Sequence, residues 1–166
     1  MPKSDIKKYL KDLGSKKPVP GGGSASALVG ALGAGLLEKT CNFTIDKEKY
    51  KAVEKDMSVI LKEATIARKR LESLIKLDQK AYLPVAKAYK LPKDTDEQKA
   101  ARRKKIEQVT KEAAMVPQEI ARLCERLLPN CDKLEKDGNK LLAGDVKCAR
   151  AFLEAAIRGA RGVEKG

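Results

Sequence analysis

Two features of this chain have residue types and spacing suited to chemistry. One is the run Pro18-Val19-Pro20-Gly21-Gly22-Gly23-Ser24. The other is Asp78, a carboxylate set inside an otherwise apolar helical stripe. Consecutive glycines are costly, since each loses more backbone entropy on folding than any other residue and gains no side-chain packing. What Gly21, Gly22 and Gly23 offer is a bare backbone whose N–H groups can approach a ligand or a neighbouring chain. Ser24 stands where a helix N-cap would stand, with Ala25 to Leu37 as the helix behind it. A glycine turn opening a helix is a seat for a carboxylate, phosphate or carbonyl oxygen. No Gly-Lys-Ser/Thr follows, so it is not a P-loop, and no strand-like segment precedes it, which excludes a dinucleotide fingerprint. A tight linker that lets two helices pack closely is the competing explanation.

Asp78 is found by helical periodicity. Val53, Met57, Ile60, Ala64, Ala67, Leu71, Leu74, Ile75, Tyr82 and Val85 recur at the spacing of one helix face, and Asp78 falls one turn from Leu74, Ile75 and Tyr82. A carboxylate on a core-facing stripe is costly unless paired or hydrogen-bonded, and desolvation should raise its pKa. That is one way for a chain with no histidine to hold an acid/base group that works near neutral pH. An aspartate bonded to Tyr82 or to a lysine for structure alone would leave the same pattern. Asp145 lies in line with Leu142, Ala149, Leu153 and Ala156, and so points inward if its helix covers it; as the residue after Gly144 it also fits an N-cap. On the glycine-led helix Val29, Leu32, Leu36, Leu37 and Phe43 form an apolar arc. The opposite arc, Ser24, Ala31, Gly35, Glu38 and Asn42, could line a pocket for a flat ligand or form a close crossing at a dimer seam.

The elements that must position these groups are helices throughout. Asp5 to Leu13 is a short amphipathic piece, and about Ser24 to Thr44 a small-residue helix. About Lys47 to Lys90 reads as a long helix with a kink at Pro84. Thr95 and Gln98 form a capping box for a helix running to about Leu128 and bent at Pro117. Pro129 to Gly138 reads as a connection, and a last helix runs to about Arg161. With no strand-like alternation, internal repeat or low-complexity tract, the expected fold is all-α: an antiparallel bundle of about five helices in one domain, residues 1–166. An aromatic content of 4 % with no tryptophan requires an aliphatic, alanine-rich core. Pro18 to Leu37 is twenty residues without a charge, long enough to span a bilayer, but its six glycines and two prolines argue for a buried central helix instead.

Lys and Arg outnumber Asp and Glu by 36 to 23, a net charge of +13 that attracts anions over a broad surface. The cations are interleaved with acids (Lys51, Glu54, Lys55, Asp56, Lys62, Glu63) and have no aromatic partners in sequence, which argues against a nucleic-acid interface. Cys41, Cys124, Cys131 and Cys148 show no Cys-x-x-Cys spacing, and without histidine a metal site is not expected. They read as reduced thiols of a cytoplasmic protein.

Several segments resemble the cyclodeaminase/cyclohydrolase family of folate enzymes: the Pro-Gly-Gly-Gly-Ser-Ala-Ser-Ala start at Pro20, Asn42-Phe43-Thr44, Lys49-Tyr50, Leu74 to Tyr82, Ala88 to Pro92 and Glu112 to Pro117. The likeness runs in order from about Ser4 to Arg161. It implies an all-helical, homodimeric, cytosolic enzyme of one-carbon metabolism, needing no metal or organic cofactor and acting on a tetrahydrofolate derivative, with a polyglutamate tail suited to the surplus positive charge. Methenyltetrahydrofolate cyclohydrolase is the activity expected first, because no formiminotransferase segment accompanies the chain; formiminotetrahydrofolate cyclodeaminase is the alternative. A basic helical module that binds without catalysis is a third reading. On this resemblance Asp78 is the acid/base and Asp145 the second-choice carboxylate. Gly21, Gly22, Gly23 and Ser24 hold the pterin or glutamate end, Asn42 orients the substrate, and Lys49 pairs with Asp78 or binds a glutamyl carboxylate. The likeness departs at Gly162-Val163, where family members carry an Asn-Val pair and a further segment; if such a tail closes the pocket or the dimer, its absence would weaken activity.

Overall fold

The computed structural model describes residues 3–164 and places the small-residue helix at the centre. The expected domain of residues 1–166 thus extends two residues beyond the described ones at each end. The elements are α1 (Lys3–Leu13), α2 (Gly22–Asn42), α3 (Glu54–Ala88), α4 (Asp96–Ala113), α5 (Met115–Asp137) and α6 (Ala143–Glu164), with short 3-10 turns at Glu48–Val53 and Lys140–Leu142. No strand occurs among the described residues. No helix among them is long and apolar enough to cross a membrane.

α2 packs against α3 and α6 on its flanks and α5 behind. It can do so because its inward residues are so small. A Cβ on Gly30 would lie 2.7 Å from Cys124 Sγ of α5, and one on Gly33 3.0 Å from Leu153 Cγ of α6. α6 returns the arrangement, since a Cβ on Gly159 would lie 2.4 Å from Ser26 Oγ. Close backbone approach therefore replaces large side chains in a core closed by Leu37, Met57, Leu71, Leu74, Ile120, Leu134 and Leu153. A separate, smaller cluster of Val85, Ala88 and Val109, flanked by Ile106 and Ala113, holds α4 to the end of α3.

Some helix starts and stops follow local rules, and others do not. The capping box forms: Gln98 N–H donates to Thr95 Oγ1 at 3.2 Å, and Thr95 N–H donates to Gln98 Oε1 at 3.3 Å. The helix expected from Thr95 to Leu128 instead breaks at Ala114. Pro117 does not bend it but occupies the first turn of α5, where a missing N–H costs nothing. Pro129, read as the start of a connection, lies inside α5, which runs on to Asp137 because Cys131 and Leu134 beyond it are buried. α3 continues past Pro84 to Ala88. Its start is later than expected: Lys47 to Val53 is an extended residue and a 3-10 turn, and the α-helix begins at Glu54.

Candidate active site

α2 begins one turn earlier than its sequence indicates. Gly21, in extended conformation, is the N-cap, and Gly22 and Gly23 are the first helical residues. None of the described glycines has a positive φ, so unusual backbone angles are not what these three are for. Space explains two of them. A Cβ on Gly23 would lie 2.1 Å from Asp78 Oδ1 and 2.6 Å from its Cγ, and one on Gly22 would lie 2.7 Å from Val163 Cγ1; Gly21 has nothing within 4 Å. Glycine at position 23 thus lets the Asp78 carboxylate sit directly against the first turn of α2, where it accepts a hydrogen bond from the Ser24 N–H. One orphan donor of the helix end is satisfied in this way, and the helix dipole favours the negative charge.

Asp78 is half-buried, and that burial pushes its carboxyl above the ordinary carboxylate range, against the opposing pull of the Ser24 N–H. It faces a cleft of about 480 Å3. Gly21 to Gly23 and Pro18-Val19 form one side of this cleft, Tyr82, Val85 and Tyr89 of α3 continue it, and Thr110, Ala113, Ala114 and Pro117 of α4 and α5 face them. Gly162 and Val163, near the end of α6, close one edge. The result is a largely apolar slot with two tyrosine rings, one carboxylate and one threonine hydroxyl, of a size that takes a small flat molecule.

Ser24 is not the N-cap. Its side chain is fully buried one turn into α2 and knots three helices together behind Asp78. Its hydroxyl donates to the Ile75 carbonyl at 3.0 Å, so it can only accept from the Tyr9 hydroxyl at 3.0 Å and the Gln79 amide at 3.2 Å. Burial raises the Tyr9 pKa and the Asp78 charge adds to the effect, which places the Tyr9 hydroxyl within reach of the carboxylate's field.

The remaining expected site residues lie elsewhere. Asp145 sits in the first turn of α6, inside the helix and not at its cap, and forms an ion pair with Lys39 at 2.7 Å. Lys39 is sixteen residues along α2 from Gly23, about 24 Å at the helical rise. Asn42 is exposed at that same far end of α2. Lys49 does not reach Asp78: the 3-10 turn takes it off the helix, its ammonium lies 5.4 Å from the Tyr50 ring centre, and α3 alone separates the two by about 36 Å. Within one chain, then, Gly21, Gly22, Gly23, Ser24 and Asp78 gather at one end of α2, and Asn42, Lys49 and Asp145 at the other.

This arrangement can be set beside known proteins. A sequence profile described as formiminotransferase-cyclodeaminase matches residues 5–162. The chain belongs to that family. It is 39 % identical over 155 residues to a methenyltetrahydrofolate cyclohydrolase of Methylorubrum extorquens, covering 93 % of this chain and 74 % of that protein. It is 28 % identical over 157 residues to the formimidoyltransferase-cyclodeaminase of Rattus norvegicus, covering 95 % of this chain but only 29 % of the rat protein. In three dimensions it is similar to the formiminotetrahydrofolate cyclodeaminase of Thermotoga maritima, with a TM-score of 0.83 and 32 % identity over 97 % of this chain and 76 % of that one.

In this member of the formiminotransferase-cyclodeaminase family, the cleft also holds residues that sequence reasoning passed over. Periodicity puts Tyr82 on the core stripe, yet it is 44 % exposed and lines the cleft with Tyr89. Tyr9 and Gln79, behind Asp78, gave no local signal, because their roles depend on α1 and α3 meeting at Ser24. Thr110 comes from α4, a helix whose polar sequence offers no stripe to single it out. The sequence did carry a signal for the tyrosines: Tyr82 and Tyr89 are two of only four in the chain, seven residues apart and therefore on one helix face.

Proposed function

We propose that this chain is a methenyltetrahydrofolate cyclohydrolase, adding water to 5,10-methenyltetrahydrofolate to give 10-formyltetrahydrofolate. The observation that carries the reading is Asp78: a half-buried carboxylate with a raised pKa, held by the Ser24 N–H at the wall of an apolar, tyrosine-lined cleft. The substrate presents a cationic carbon between two nitrogens. An adjacent carboxylate stabilises that cation and takes a proton from the attacking water. The tetrahedral adduct then collapses: the same carboxyl returns its proton to the nitrogen that leaves, while the adduct's hydroxyl gives its proton to solvent as the formyl C=O forms, so that one proton is released overall. One group suffices because it is first base and then acid, and its raised pKa narrows the gap between the two roles. Tyr82 and Tyr89 provide flat faces for the ring system, and the free N–H groups of Gly22 and Gly23 are donors for its polar edge. No step calls for a metal or an organic cofactor.

Cyclodeamination is the second reading, supported by the likeness to the Thermotoga maritima enzyme. It forms the same ring as ammonia leaves, with Asp78 as the acid. The 39 % identity to a cyclohydrolase favours the first. The test is spectrophotometric: loss of methenyltetrahydrofolate absorbance in the near ultraviolet, with Asp78→Asn alongside. Acceleration that falls by less than tenfold in Asp78→Asn removes Asp78 from the mechanism. No acceleration, with ammonia released from formiminotetrahydrofolate, makes the chain a cyclodeaminase; neither activity leaves a binding module. Polyglutamyl forms of the substrate, a cytoplasmic location and a lack of nucleic-acid binding belong to the same reading, the last supported by the many ion pairs that occupy the surface cations.

A homodimer is also part of it. The outer face of α2 carries Leu28, Val29, Leu32 and Leu36, with Leu32 51 % exposed, and an apolar stripe on the central helix of a bundle suits contact with a second copy. Sedimentation should give twice the chain mass, and Leu32→Glu should reduce it to one. A wild-type chain sedimenting as a monomer would end this part of the reading.

A further inference from the structure

Asp78 has no cation to balance it in its cleft. Among the described residues that line that cleft it alone is charged, and what opposes the effect of its burial is the hydrogen bond from the Ser24 N–H. Whatever fixes that N–H therefore fixes the carboxylate. Gly21, Gly22 and Gly23 have no side chains with which to hold the end of α2 against α3. Ser24 is the first residue of the helix that can do so, and its hydroxyl is fully committed. It donates to the carbonyl of Ile75, three residues before Asp78 on α3, and accepts from the Gln79 amide and the Tyr9 hydroxyl.

Two of these partners belong to α3, the helix of Asp78 itself. The third comes from α1. Tyr9 packs against the main core, whereas Ile6 and Leu10 on the same short helix are 52 % and 57 % exposed. The one aromatic residue of α1 thus ends on the serine that holds the reacting carboxylate. Packing alone does not call for a hydroxyl there, since phenylalanine would fill the same volume and would bring no polar group to desolvate. The hydroxyl is nonetheless present and bonded at 3.0 Å. Burial first, and then the Asp78 charge, raise its pKa, which keeps it a neutral donor near physiological pH.

We propose that Tyr9 is a positioning residue for the reaction at Asp78: its hydroxyl holds Ser24 in place, Ser24 holds the carboxylate against the first turn of α2, and docking of α1 is thereby a condition of full activity. Tyr9 does not line the cleft and acts through Ser24. The assignment rests on the reading of Asp78 as the acid/base. Gln79 does not duplicate it. Its amide reaches both Ser24 Oγ and the Ile75 carbonyl from the same helix as Asp78, so it ties no third element to the start of α2.

The experiment compares kcat, KM and the pH–rate profile of the full-length wild-type chain and Tyr9→Phe, which keeps the ring and loses the hydroxyl. Loss of one buried hydrogen bond behind the carboxylate should lower kcat about fivefold and leave KM within about twofold. A slackened Ser24 N–H favours the carboxylate less, so burial prevails and the carboxyl titrates higher. The acidic limb of the profile should therefore move to higher pH. A residue that merely anchored α1 would leave that limb in place. Leu10→Ala, which trims α1 beside Tyr9 without touching Ser24, should keep the wild-type kcat and limb. Added to Asp78→Asn, Tyr9→Phe should cost less than about twofold of the residual rate. Wild-type kcat with an unmoved limb in Tyr9→Phe overturns the proposal, as does a full fivefold loss in the Asp78→Asn background or an equal effect of Leu10→Ala. If Asp78→Asn is itself as active as wild type, the reading of Asp78 falls and the proposal with it. If Asp78→Asn is inactive and Tyr9→Phe is unimpaired, only the role of Tyr9 falls.

Discussion

Replacing Gly23 by alanine sets two effects against each other. In the first turn of α2 the change relieves a flexible residue, a gain of roughly 0.5–1 kcal/mol. Against it, the new methyl would sit 2.1 Å from Asp78 Oδ1, where ordinary contact begins at 3.4 Å, so the oxygen must retreat by about 1.3 Å. The obstacle is the end of a side chain and not backbone, and a carboxylate facing a cleft can swing away. Overpacking of this kind costs about 1–3 kcal/mol at most, partly offset by the helical gain. The melting temperature should fall by no more than about 2–8 °C in a domain of this size. Activity has no such relief. Swinging away breaks the bond from the Ser24 N–H and moves the reacting oxygen by more than an ångström, and a misplacement of that order costs about a hundredfold, near 2.7 kcal/mol. We therefore expect Gly23→Ala to lose about a hundredfold in kcat/KM for methenyltetrahydrofolate and to stay folded. Gly21→Ala, with nothing within 4 Å, should stay within about threefold. In the Asp78→Asn background Gly23→Ala should add little further loss, because both act on one group. A Gly23→Ala enzyme within threefold of wild type, or a full second penalty in the double variant, would refute the claim that this glycine works through Asp78.

Asp78→Asn should lower kcat by at least a hundredfold and remove the acidic limb of the pH–rate profile, which reports the raised carboxyl. It should also stabilise the protein near neutral pH. A folded-state pKa raised by burial means that Asp78 disfavours folding once ionised, so wild type loses stability as pH rises through that value; melting curves of the two proteins should converge below the ordinary carboxylate pKa. Ser24→Ala leaves the Tyr9 hydroxyl and Gln79 amide without their shared acceptor, and chemical denaturation should show a loss of about 1–3 kcal/mol. Burial pushes the Cys41 and Cys124 thiols up to about 12 and that of Cys131 to about 11, so a thiol reagent at neutral pH should modify Cys148 alone in native protein and all four cysteines after denaturation.

Asp78 was legible in the sequence because burial and charge conflict there, and a conflict on a helical stripe is visible without coordinates. The glycine run was legible for a similar reason: three such residues in a row require a cause. What they do was not legible. Ser24 satisfies every local rule for an N-cap, but the helix extends to Gly22 because Asp78, fifty-four residues further on, supplies the acceptor for its N–H. Pro129 satisfies every local rule for a break, yet burial of the residues beyond it carries α5 through. Periodicity alone put Lys49 on the Asp78 face, and the 3-10 turn at Glu48–Val53 removed it. Asp145 lines up with a buried stripe, but at the N-terminal end of α6, where Lys39 and partial exposure claim it. For Ser24 and Asp145 the deciding partner, Asp78 or Lys39, lay on another helix.

The two sides of the Asp78 cleft rest on foundations of different depth. Gly22 and Gly23 belong to α2, which is sealed into the main core from Ala27 to Cys41, whereas Thr110 and Ala113 belong to α4, which is anchored by Val85, Ala88 and Val109. Amide exchange should separate them, with the α4 backbone opening in a small, inexpensive unit while α2 exchanges only when the whole molecule unfolds. A substrate that must slide between two tyrosines and a carboxylate can then enter by displacing α4, and the catalytic side stays as ordered as the core itself.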